Sequence, residues 1–147
     1  RSAGTRAAAH YRSRGETGRV TLQFEKHFTL EEARALVPYV RQQFRRQEEI
    51  RAKLGLSPEQ MQELTRSAGG NGGGKKSAEY LENILKANSI IQEMLDRGIL
   101  VKDVSSGLVD FPHLRDGREV FLCYHVGEET VMYYHELDAG YAGRRPV

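Results

Sequence analysis

The residues best suited to chemistry crowd into the last third of the chain: His113, Cys123, His125 and His135, with Asp110, Glu136 and Asp138 among them. Imidazole and thiolate are soft-to-borderline donors that suit zinc, iron or copper. Cys123, His125 and His135 are therefore the metal candidates. None of them stands at a spacing such as Cys-x-x-Cys, so spacing alone defines no site. A structural reading stands beside the chemical one. Free cysteine often packs as a small hydrophobe, and His135 fits a sheet-edge histidine hydrogen-bonded to a carboxylate such as Asp110 or Glu136. His10 and His27 stand apart from the group.

Asp110, Arg144 and Arg145 are the ligand-binding candidates. The planar guanidinium fork holds carboxylate or phosphate, so the adjacent arginines read as an anion clamp or as a latch tying the tail to Asp110 or Glu136. The run Gly69-Gly70-Asn71-Gly72-Gly73-Gly74-Lys75 has the spacing of a phosphate-binding loop. Such a loop needs Ser or Thr after the lysine and a strand before the glycines. Here Lys76 follows and a short helix precedes, so the segment reads as a connector. No Ser–His–Asp order, helical carboxylate pair or dinucleotide fingerprint appears.

Which of the candidates meet depends on one hairpin. Val120–Val126 and Thr130–His135 alternate as paired strands. A type II′ turn at Gly127-Glu128 pairs Val126 with Glu129 and Cys123 with Met132. Cys123 and His125 then share a face with Phe121, Thr130, Met132 and Tyr134. His135 lies on the other face with Val120, Leu122, Tyr124, Val131 and Tyr133. A three-residue loop over 128–130 would instead set Cys123 opposite His135. Gly at the first turn position favours the first register, in which Cys123 and His135 cannot share a metal. A catalytic zinc needs three protein ligands, so structural roles are expected for both.

The elements that position these residues follow from period and caps. Thr29-Leu30-Glu31-Glu32 forms a capping box for a helix running to about Leu54, with Ala33, Leu36, Val37, Val40 and Phe44 on one side. Pro38 inside it should kink the helix. Ser57-Pro58 starts a short second helix. A long helix from about Lys75 to Arg97 stops at Gly98, and its apolar positions cover an arc of roughly 220°. That breadth, with Asn88 inside it, suggests cover on two sides, the second being a sheet or another subunit. After Gly98 the pattern alternates: Ile99–Asp103 and Leu108–Phe111 around Ser105-Ser106-Gly107, then the turn Asp116-Gly117 and the hairpin above. The expected fold is α+β: a long antiparallel helical hairpin packed on a C-terminal four-stranded antiparallel meander, its polar tip at residues 45–75 projecting outward.

Composition narrows the classes. The chain has 147 residues, 39% hydrophobic and 29% charged, which suits one globular domain, assigned to residues 20–147. Its net charge of +2 is unevenly spread. Residues 1–19 carry five arginines against Glu16, and the remaining 128 carry 17 basic against 19 acidic residues. The first nineteen residues read as a disordered basic leader, and the acidic body makes nucleic acid an unexpected partner. A single cysteine excludes an internal disulfide framework, and no apolar run is long enough for a bilayer. The expected compartment is the cytoplasm, with no membrane partner.

Several segments together, "FTLEEARALVPYV", "GGNGGG", "GLVDFP", "GREVFLCYHVGEE" and "YHELDAGYAGRRPV", resemble an uncharacterised prokaryotic family, the domain-of-unknown-function family numbered 2203. The resemblance covers about residues 24–147 and leaves the leader outside. The family usually carries Trp where this chain has Tyr124 and Tyr134, so a role needing an indole at those positions is not expected to carry over. The resemblance implies a fold and a compartment and no reaction. Two functions remain in view. The first is a non-catalytic interaction module that self-associates as a homo-oligomer through its helices. The second is a small-ligand or transition-metal-binding domain, open to enzymatic activity, with a pocket around Asp110, Cys123, His135 and Arg144.

Overall fold

A computed structural model describes residues 21–66 and 77–147. The leader at 1–19 and the glycine run at 69–74 lie outside the described residues. Among the described residues four α-helices, α1 (Leu30–Ala35), α2 (Val37–Leu54), α3 (Pro58–Arg66) and α4 (Ala78–Asp96), precede five strands: β1 (Leu100–Asp103), β2 (Leu108–Arg115), β3 (Arg118–His125), β4 (Tyr133–Glu136) and β5 (Arg145–Pro146). Among the described residues, no helix is long and apolar enough to cross a membrane.

The helix starts are local. Thr29 Oγ1 accepts from Glu32 N at 3.0 Å, and Thr29 N donates to Glu32 Oε1 at 2.9 Å. Ser57 and Gln60 repeat that box at α3, and Ser77 Oγ accepts from Tyr80 N. Pro38 breaks the first helix more fully than a kink. Leu36 caps α1 and starts α2, which leaves Pro38 in the first turn of α2, where a missing N–H costs nothing. At the end of α4, Gly98 takes a φ of 89°, its N–H reaches Leu95 O, and Ile99 N reaches Met94 O. These two bonds satisfy the last carbonyls and turn the chain into β1.

α2 and α4 run antiparallel: Tyr39 faces Arg97 across a cation–π contact, and Gln47 bonds the Ala87 carbonyl. Val37, Val40 and Phe44 of α2 and Ala87, Ile90 and Met94 of α4 meet one side of the sheet at Val109, Phe111, Val120, Leu122, Tyr124 and Tyr134. α3 does not project. Met61 is buried in the same core, and Gln62 Oε1 accepts from Val104 N at 2.7 Å.

The sheet is an antiparallel meander in the order β1-β2-β3-β4-β5, with five strands where four were expected. The extra strand is the tail, where Tyr133 pairs with Pro146 and Tyr134 with Arg145. The turn at Asp116-Gly117 holds, with φ of 51° and 76°, the two left-handed residues of a type I′ turn. The register of β3 with β4 does not hold. Phe121 pairs with His135 and Cys123 with Tyr133, one residue away from the type II′ pairing and different from the three-residue alternative. Gly127 does not take the positive φ that a type II′ turn requires. A longer connection forms instead, held from the helices: Arg41 Nη2 donates to the carbonyls of Glu128 and Glu129, and Arg34 Nε to that of Val131.

Candidate functional site

That one-residue difference decides which side chains meet. Residues paired across antiparallel strands share a face, as do residues two apart on one strand. Asp110 pairs with Cys123, Cys123 with Tyr133, and Phe121 with His135. Asp110, Cys123 and His135 therefore stand together on the sheet face turned away from the helices. This corrects the expectation that Cys123 and His135 point to opposite sides. It also moves Tyr134 to the helix side and Tyr133 to the outer side.

The three side chains are 2%, 1% and 3% exposed. One ligand atom from each lies within 4.8 Å of the others. His135 Nε2 is 3.1 Å from Asp110 Oδ1, and His135 Nδ1 is 2.8 Å from the carbonyl of Glu136. Their cover comes from the segment before α1 and from the tail. On one flank the segment before α1 packs Phe24 edge-on against Phe121, whose ring lies 5.5 Å from that of His135. Buried Glu119 ties this segment down by accepting from Gln23 N, Phe24 N and His27 Nε2. On the other flank the tail folds back. Arg144 Nη2 binds both oxygens of Glu128 at 2.6 and 2.7 Å, and its guanidinium lies over the rings of Tyr133 and Tyr141. A cleft of about 320 Å³ opens between β1 and the tail. Asp110 and His135 are in its wall, and Lys102, Asp138 and Tyr141 are around them.

Burial and the neighbouring Asp110 carboxylate push the Cys123 thiol up to about 12, against a smaller opposing pull from Arg144. So high a value leaves almost no thiolate at neutral pH, so the bare thiol is a poor nucleophile. Burial alone would lower the His135 value. The bonds to Asp110 and the Glu136 carbonyl outweigh it and hold the imidazole above its ordinary range. For Arg144 the Glu128 pair likewise outweighs burial and raises it.

The other candidates fall outside the cluster. His125 shares the outer face, but its ring turns to Tyr141 and its Nδ1 to Gly127 N. His113 Nδ1 meets the Phe28 carbonyl. Arg145 is exposed on β5. Arg144 forms a latch, on Glu128 rather than on Asp110 or Glu136; Glu136 pairs with Arg118. Sequence reasoning missed Lys102, Glu128 and Tyr141. Glu128 was hidden as a turn residue, and the other two carry no local signal.

No curated protein and no solved structure matches the chain. A family model does, over residues 26–147, which takes in α1 through β5 and all three clustered residues. The chain belongs to the family described as "Uncharacterized conserved protein (DUF2203)".

Proposed function

We propose that the outer face of the sheet binds a transition metal of the zinc class through Asp110 Oδ1, Cys123 Sγ and His135 Nε2, with a fourth position open to a small ligand. The observation that carries this reading is the convergence of three buried donors of different type within 4.8 Å. Two ligands at about 2.0–2.1 Å from a tetrahedral ion lie roughly 3.3 Å apart, close to the 3.1 Å between Nε2 and Oδ1. A metal-bound histidine commonly donates its other ring N–H to a carbonyl, which fixes the tautomer; His135 Nδ1 sits 2.8 Å from the Glu136 carbonyl. Three protein ligands beside a cleft match the pattern of an ion that keeps one exchangeable position. Lys102 on the cleft wall favours an anion or a water-derived ligand there.

Elemental analysis tests this on protein purified without chelator or histidine tag, then incubated with zinc and desalted. About one equivalent is expected in the wild type, and far less in Cys123→Ala, His135→Ala and Asp110→Ala, with folding followed by circular dichroism. A folded wild type that retains no zinc overturns the reading, as does full retention in the folded variants.

Self-association through α4 is the second reading. Leu81 and Leu85 are 42% and 68% exposed, beside half-buried Ile84 and Asn88. α2, α3 and β1 pack against the rest of the broad apolar arc, so a second copy would cover only this remaining stripe. Light scattering at high concentration decides it: a dimer supports the reading, and a monomer removes it.

A further inference from the structure

The tail, residues 138–147, is attached to the rest of the molecule at the surface. Arg144 is its one residue that is not exposed, and none of its side chains enters the apolar core. β5 is two residues long, one of them Pro146, which has no N–H to give. It pairs with Tyr133 and Tyr134, and Val147 N adds a bond to the Met132 carbonyl. A segment with so few buried contacts opens locally while the core stays folded.

The weight of the attachment falls on Arg144. Its guanidinium lies 4.2 Å from the Tyr133 ring centroid and 4.6 Å from that of Tyr141, and Nη2 serves both oxygens of Glu128. The latch is imperfect. Arg144 Nε is sealed from water and has no partner among the described residues, so closure leaves one N–H unsatisfied and opening returns it to water. Upstream, Gly140 takes φ 77° and ψ −171°, a conformation essentially confined to glycine. The chain pivots there into a single 3₁₀ turn, Tyr141–Gly143.

This strap lies over the cluster. Asp138, Ala139, Gly140 and Tyr141 form one wall of the cleft that Asp110 and His135 also line. Arg144 covers Tyr133, the cross-strand partner of Cys123, and its Nη2 is 3.4 Å from the Cys123 carbonyl.

We propose that residues 138–147 are a gate: the strap pivots at Gly140 when Arg144 leaves Glu128, and its departure exposes the buried Asp110, Cys123 and His135 to solvent. As the entry route for a metal, the gate rests on the reading above. As the cover of Cys123, it does not.

Cys123 is the chain's one cysteine, so its thiol reports the opening. Chelator-treated native protein is labelled with N-ethylmaleimide and the adduct followed by mass spectrometry. The wild type should label slowly, at a rate that low urea hardly changes, the sign of local opening rather than global unfolding. Arg144→Ala should speed labelling about tenfold or more, the effect of losing a partly buried ion pair and a stacked guanidinium. Loss of that charge alone would slow the thiol, since Arg144 favours its ionised form, so the gain reports opening. Gly140→Ala adds a methyl that meets nothing within 4 Å, and should speed labelling about five- to fiftyfold through backbone strain alone. An unchanged rate in either folded variant overturns the proposal. So does wild-type labelling that follows the full urea dependence of unfolding, a test that needs no variant. Zinc retention is measured separately: a wild type that retains no zinc yet shows these labelling rates loses the metal and keeps the gate.

Discussion

The two faces of the sheet are built from alternate residues of the same strands and are buried alike, yet they are made of different chemistry. Toward the helices stand Val109, Phe111, Val120, Leu122 and Tyr124. Away from them stand Asp110, Phe121, Cys123 and His135. Apolar contact on the first face needs only volume and shape to stabilise the fold. The second face removes an acid and an imidazole from water, which attraction between them offsets only in part. Its cover is also thinner: a segment held by Glu119, and a tail held by Arg144. A protein selected for stability alone would fill both faces with hydrocarbon.

Truncations should separate the faces. Phe111→Ala, which empties a fully buried site packed edge-on against Phe28, should cost about 3–5 kcal/mol in urea unfolding. A loss below 1 kcal/mol would mean that the helix layer is loosely packed. Asp110→Ala should cost about 3 kcal/mol in chelator-treated protein, because His135 keeps its burial and loses its acceptor; an unchanged midpoint would mean that water replaces the carboxylate. Cys123→Ala should cost only about 1–2 kcal/mol at neutral pH, and its signature lies in alkali. A thiol raised to about 12 in the fold ionises first in the unfolded chain, near 8.5. Its contribution is therefore complete below that value and is lost as pH rises toward 12. Wild-type stability should fall more steeply than that of Cys123→Ala between pH 9 and 11. Parallel curves would mean that the thiol is not buried beside Asp110.

Much of the fold was legible because its signals are local. The capping box at Thr29, the helix start at Ser57-Pro58, the Gly98 stop and the Asp116-Gly117 turn each act within a few residues, and each stands where the sequence suggested. The β3–β4 register was not legible, because it is set at a distance. Arg34 and Arg41 on the helices draw out the carbonyls of 128, 129 and 131, and no property of Gly127 announces that. A slip of one residue reverses every side chain, so an otherwise sound reading of the strands separated the two residues that belong together. The tail shows the same limit. A latch was legible in Arg144, but its partner Glu128 was not, because long-range ion pairs leave no periodic trace. By residue type Cys123 and His135 were visible as metal candidates together with His125, and Asp110 as a ligand candidate; which of them converge needed the structure.

The central claim, that these three side chains hold one ion, is tested most directly by cobalt(II), which reports its own ligands. Titrated into chelator-treated wild type, it should give a near-ultraviolet sulfur-to-cobalt charge-transfer band and intense visible bands of a four-coordinate site, saturating at one equivalent. His135→Ala should weaken or abolish both, and Cys123→Ala should lose the charge-transfer band first, since that band needs the thiolate. A folded wild type that shows only the pale spectrum of hydrated cobalt would contradict the account and leave the cluster as a hydrogen-bonded piece of core.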